Sequence, residues 1–170
     1  MKEGLAGALC AIALIAVALA AYLGLGFMDV AADATPPGWE AGLMTAAVHA
    51  SVARRAGAAA AARPPGDDAV IAGGRLYLNN CVGCHGAPGK PPSDFGATFY
   101  PPAPQFPRVG SQYSAAQLLW VAKHGIRMTG MFPNGNQYSD AELASIVAFI
   151  GRIRNLPPAI AKAVQSPAAK

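Results

Sequence analysis

The sequence predicts a mainly α-helical chain: an N-terminal apolar helix, an alanine-rich linker helix and a small all-α domain. Three observations carry that prediction. Gly4 to Met28 contains no charged residue, a run long enough to cross a hydrocarbon layer that takes ~20 helical residues. Apolar residues recur at helical spacing in two later stretches: Trp39, Leu43, Ala46 and Ala50, then Leu143, Ile146, Val147, Ile150 and Ile153. Two runs, Ser114-Ala115-Ala116-Gln117 and Ser139-Asp140-Ala141-Glu142, read as capping boxes that open helices.

The chain has 170 residues, enough for one domain with appendages, and 53% of them are hydrophobic, which is high for a soluble domain. The apolar run is flanked by Lys2 and Glu3 before it and by Asp29 and Asp33 after it. Lys2 is the only basic residue near either end, so the positive-inside rule places the N-terminus in the cytoplasm and the remainder in the periplasm. A cleaved signal peptide ending at Ala18-Leu19-Ala20 is the alternative, but the run exceeds the usual apolar core of about 7–15 residues, which favours an uncleaved anchor. Both readings export the domain. Cys10 reads as a small apolar membrane residue; Leu9 stands where a lipoprotein site needs a small one.

After Thr35-Pro36-Pro37-Gly38 the stretch from Trp39 to Ala62 reads as a helix that alanine propensity alone can support. It would serve as a stiff spacer, or as a surface against the membrane or a partner. His49 reads as a surface residue, since no second ligand stands at metal spacing. Arg63-Pro64-Pro65-Gly66 then breaks the chain. The expected organisation is therefore an anchor or signal peptide over 1–29, a periplasmic linker helix over 30–66, the domain over 67–156 and a flexible tail over 157–170.

Within the domain, Asp67 and Asp68 enrich the first turn of a helix whose stripe is Val70, Gly73, Gly74 and Tyr77. The two glycines there allow another helix to approach closely. The segment from Gly86 to Gln112 holds Pro88, Pro91, Pro92, Pro101, Pro102, Pro104 and Pro107, with Phe95, Phe99, Tyr100 and Phe106 among them. That proline density predicts a loop without regular helix. The helix opened by Ser114 should stop at Gly125. In it Trp120 reads as packing and His124 as exposed. The helix opened by Ser139 should end before Leu156-Pro157-Pro158.

The chemistry sits in Cys81-Val82-Gly83-Cys84-His85. A C-x-x-C-H run reads as a covalent c-type haem attachment site. Two thiols three positions apart can each bond one vinyl group, and the following imidazole can reach the iron. A closed zinc site needs four ligands, and the remaining cysteine, Cys10, lies far away. A thiol-redox motif would want a surrounding βαβ pattern, where this one has Pro and Gly. Downstream, His124-Gly125-Ile126-Arg127-Met128-Thr129-Gly130-Met131 offers a sixth ligand from Met131, Met128 or His124, and spacing alone does not separate the two methionines. Arg127 is placed to face a haem propionate or solvent.

From about Asp67 to Leu156, roughly half the chain, the sequence resembles the class I monohaem cytochromes c of bacterial, membrane-anchored type. In that family a Gly-Met-Pro loop carries the axial methionine, which matches Met131; here Phe132 stands between Met131 and Pro133. The resemblance implies one covalent haem c whose iron is bound by His85 and Met131, a proline carbonyl (Pro101, Pro102 or Pro104) accepting the His85 N–H, and crossed terminal helices in which Phe149 and Ile150 meet Gly73 and Gly74. It also implies an electron carrier in the inner membrane, with redox proteins, or other subunits of a membrane oxidoreductase, as partners.

Formal net charge is +4 for the chain. Over 67–156 there are seven Lys/Arg and five Asp/Glu, so 7 − 5 = +2, too slight and scattered for nucleic acid. No second haem motif, dinucleotide fingerprint or catalytic triad occurs, so neither a small-molecule substrate nor an enzymatic role such as a peroxidase is expected. A haem-based sensor would need a displaceable sixth ligand. Because a domain this small has a marginal core, the chain without haem is expected to be unfolded.

Overall fold

The computed structural model describes residues 2–57 and 65–166. Every regular element among them is helical, in two compact units, Met1–Pro36 and Pro37–Lys170. The linker helix, expected to reach Ala62, ends at Ala56, where Gly57 takes a φ of +67° outside the helical range; residues 58–62, the start of the break at Arg63-Pro64 and the last residues of the tail lie outside the described residues.

The first unit is built on α1 (Lys2–Gly24). Its segment Gly4–Gly24 has a mean hydropathy of 2.5, and no side chain in it is buried within the protein. It is long and apolar enough to cross a membrane. A signal sequence has the same properties.

The second unit holds α2 (Gly38–Ala56), α3 (Asp67–Asn80), α4 (Val82–His85), α5 (Asp94–Ala97), α6 (Phe106–Val109), α7 (Ala115–His124), α8 (Asp140–Arg152), a 3-10 turn (Ile153–Asn155) and α9 (Pro158–Gln165). The α3–α8 crossing is its centre. A methyl group at Gly73 would collide with the backbone carbonyl of Ser145, and one at Gly74 would stand 2.7 Å from Val164 and 2.8 Å from the Phe149 ring. The absence of side chains thus lets the helices touch backbone to backbone. Phe149 does meet the glycine stripe, as expected, but Gly73 faces the Ser145 main chain. Val70, Tyr77, Leu143 and Phe149 are almost wholly removed from water, and the Tyr77 and Phe149 rings lie 5.2 Å apart. Each such side chain contributes on the order of 1.5–3 kcal/mol by burial.

Both expected capping boxes are present, at Ser114 with Gln117 and at Ser139 with Glu142. Gly125 ends α7 with φ of +68°, a conformation that glycine reaches without strain. Lys123 pairs with Asp140 at 2.7 Å, linking the end of α7 to the start of α8.

Three further expectations are corrected. Within the segment over 157–170, expected to be a flexible tail, residues 158–165 form the helix α9. Pro158 occupies a first-turn position where its missing N–H costs nothing, and Ile160 and Val164, one turn apart, are buried against the core. Arg75 Nη2 also donates to the Ala163 carbonyl at 3.1 Å. The proline-rich loop contains two single helical turns, α5 and α6. Ser93 caps α5, and Pro107 sits in the first turn of α6, the part of a helix that tolerates proline. Finally, α2 is no free spacer: it packs on α7, buries Val52 to 2% exposure and sets the His49 ring 5.1 Å from Tyr113. Its Trp39, Leu43 and Met44 remain exposed.

Candidate functional site

The site starts where α3 runs out. Cys81 caps α3, its N–H donating to the Tyr77 carbonyl at 2.8 Å. The N–H groups of Cys84 and His85 both donate back to the Cys81 carbonyl, at 3.3 and 2.9 Å. Two free thiols and an imidazole therefore share one turn. The Tyr77 hydroxyl holds the exit of that turn, donating to the Gly86 carbonyl at 2.7 Å.

The His85 ring is fixed from two sides. Its Nδ1 donates to the Pro104 carbonyl at 3.0 Å, which selects Pro104 from the three candidate prolines. The Phe106 ring, buried, stacks on the imidazole with centroids 4.6 Å apart and planes 16° from parallel. With Nδ1 engaged, Nε2 is the nitrogen left for a metal. Burial lowers the His85 pKa, and the hydrogen bond to Pro104 only partly opposes this. The ring is therefore neutral at pH 7, the form a ligand needs. Burial, with Cys84 alongside, pushes the Cys81 thiol up to about 11. Burial likewise raises the pKa of Tyr77.

α5 packs on this turn, and the loop that carries Met131 packs on the Phe99 that follows α5. A methyl group at Gly96 would strike the Cys84 carbonyl, so α5 lies directly on the cysteine turn. The Phe95 and Phe99 rings meet edge to face at 5.0 Å, and the Phe99 ring lies against Gly130, 2.6 Å from where a methyl there would be. Gly130 precedes Met131. The loop around Met131 closes on itself: the Ile126 N–H donates to the Met131 carbonyl at 2.9 Å, and the Met131 N–H to Thr129 Oγ1 at 3.1 Å. Met131 is half-buried in it. Met128, at the tip, has φ of +59° and is 95% exposed. Arg127 and His124 are exposed, the latter with its ring 4.9 Å from Trp120.

The residues present fit a haem. The donor set is two thiols, a neutral imidazole with one free nitrogen, and a thioether in the loop after α7. Phe95, Tyr100 and Phe132, large apolar groups exposed along these same stretches, suit the edge of a flat apolar ring system. Among the described residues no group of three or more His, Cys, Asp or Glu forms a site for a bare ion.

Spacing alone did not reveal four contributors: Tyr77, whose hydroxyl grips the turn; Phe106, stacked on His85; and Ser93 with Gln105, which bind the turn's backbone. Tyr77 was legible as a buried stripe residue but not as a hydrogen-bond donor. Gln105 offered no signal beyond standing next to Pro104.

Residues 68–150 match the family model described as cytochrome c oxidase, cbb3-type, subunit III. No curated protein and no solved structure matches the chain.

Proposed function

We propose that this chain, whose residues 68–150 form a c-type cytochrome domain, transfers single electrons through one haem bonded to Cys81 and Cys84 and ligated by His85 and Met131. The iron, when bound, supplies a one-electron couple. The protein's own residues do the rest. Pro104 holds the His85 Nδ1 proton and so keeps Nε2 aimed and basic. Phe106 blocks rotation of the ring. The self-bonded loop at Ile126 and Met131 presets the position of the thioether. The observation that carries the reading is the Cys81–His85 turn with its imidazole pinned by Pro104 and Phe106. Met131 is favoured over Met128 because it is half-buried beside Gly130 and Phe99, while Met128 faces solvent.

The apolar α1 supports a single-pass anchor in the inner membrane, with the haem domain in the periplasm. Confinement near a membrane raises the effective concentration of a carrier beside membrane-bound redox partners. A second reading, a fixed subunit of a larger membrane oxidoreductase, is favoured by the description of the matched family. Mild-detergent purification with haem staining separates the two: recovery of the chain alone supports the carrier, and stoichiometric metal-containing partners support the subunit.

Ligation is tested by Met131→Ala and Met128→Ala. The first is expected to lower the reduction potential and let carbon monoxide bind the ferrous protein, because a methionine ligand raises the potential and fills the sixth position. The second is expected to change neither. The reverse pattern assigns Met128, and carbon monoxide binding to the unmodified ferrous protein would favour a sensor.

A further inference from the structure

Gln105 stands between the two groups that fix His85. Its own peptide carries the Pro104 carbonyl, and the next residue is the Phe106 that stacks on the imidazole. Its side chain turns back into the cysteine turn. Nε2 donates to the Cys84 carbonyl at 2.8 Å and to the Ala103 carbonyl at 3.0 Å, while Oε1 accepts the Ser93 N–H at 2.8 Å. One amide therefore bonds the carbonyl immediately before His85, the carbonyl immediately before Pro104, and the N-cap residue of α5. Ser93 in turn donates its hydroxyl to the Gly83 carbonyl and caps Gly96.

The surroundings are shaped to admit that amide. A methyl group at Gly86 would stand 2.7 Å from Oε1, and one at Gly96 would stand 3.1 Å from Nε2. Gly86 also has φ of +79°, which a side chain resists. Only a group with a donor and an acceptor at this reach completes the set. A carboxylate at Nε2 would face two carbonyl oxygens, and an aliphatic side chain would leave three part-buried backbone groups unpaired.

We propose that Gln105 is a positioning residue for the axial histidine: its amide sets the strength of the hydrogen bond from His85 Nδ1 to Pro104, and through it the reduction potential. This rests on the reading of His85 as an iron ligand. A strong Nδ1–H···O=C bond makes the imidazole a better electron donor and favours the ferric state. Loosening the clamp weakens that bond, so the ferric state loses support and the potential rises.

The test compares the haem-loaded full chain with Gln105→Leu, using Gln105→Asn if the first variant does not accumulate. Nuclear magnetic resonance gives the exchange rate of the His85 Nδ1 proton, and redox titration gives the potential. The expected result is Nδ1–H exchange at least about fivefold faster, the equivalent of one ordinary hydrogen bond, together with a raised potential. A merely structural clamp would lower the melting temperature and move neither reading, which would overturn the proposal. The unmodified ferric protein separates this failure from that of the underlying assignment. His85 ring signals shifted by the paramagnetic iron, with unchanged exchange in the variant, sink the Gln105 role alone. Unshifted His85 signals sink the axial assignment and this inference with it.

Discussion

Ser139 and Glu142 close a small ring at the head of α8. The Ser139 N–H and hydroxyl both donate to Glu142 Oε2, at 2.8 and 2.7 Å, and the Glu142 N–H returns to Ser139 Oγ at 3.3 Å. The hydroxyl bond, then the backbone bond, hold the Glu142 carboxyl below its usual range. A carboxylate with a depressed folded-state pKa stabilises the fold above the unfolded pKa and loses that contribution as pH falls through the folded value. Ser139→Ala is therefore expected to lower the melting temperature by about 2–6 °C at neutral pH. The gap to the unmodified protein should narrow as pH falls from the unfolded carboxylate value of about 4.3 through the lower folded value. Thermal melts at several pH values check this, and a gap that stays constant would show that the carboxylate takes no part. Both capping boxes were legible because four consecutive residues contain the whole device. Gln105 was not, because its partners Cys84 and Ser93 lie 21 and 12 positions away and only the folded chain brings them together.

Among the elements, the α3–α8 crossing depends on Gly73 lying on the Ser145 backbone. A backbone carbonyl cannot move aside as a flexible side chain can, so Gly73→Ala should cost about 3 kcal/mol, the upper part of the overpacking range. Gly151 supplies the control. It lies in α8 with nothing within 4 Å of where a methyl would be, so Gly151→Ala should be neutral or stabilising by up to about 1 kcal/mol. The urea midpoint of Gly73→Ala should fall while that of Gly151→Ala holds or rises, and a Gly73→Ala midpoint equal to that of Gly151→Ala would refute the close crossing. α3 and α8 were readable from periodicity, since each buries a stripe spaced by three and four, and α7 from its capping box. α9 was missed because Pro157-Pro158 reads equally as a stop and as a start. Its apolar pair, Ile160 and Val164, is too short to decide without the groove that Gly74 opens for it.

For the molecule as a whole, the core runs through α3, α7, α8 and α9, while Phe95 and Tyr100, before α6, and Phe132, after α7, stay exposed. A domain of this size has little apolar area to spare. Cys81→Ala combined with Cys84→Ala is therefore expected to lose most of its far-UV helical signal; a near-native spectrum would show that the helical core suffices alone. The sequence displayed the cysteine turn and the helices, yet not the docking of α2 on α7. That docking buries one large side chain, Val52, and a single apolar position on an alanine-rich helix does not announce which way it faces. The α3–α8 crossing also sets an order of events. Gly73 and Ser145 lie 145 − 73 = 72 positions apart, and the cysteine turn falls between them. At synthesis rates of about 5–20 residues per second, roughly 4–14 s separate the appearance of the first from that of the second. Throughout that interval the newborn chain cannot shut the seam between α3 and α8, and the turn that carries Cys81 and Cys84 emerges before the seam can close.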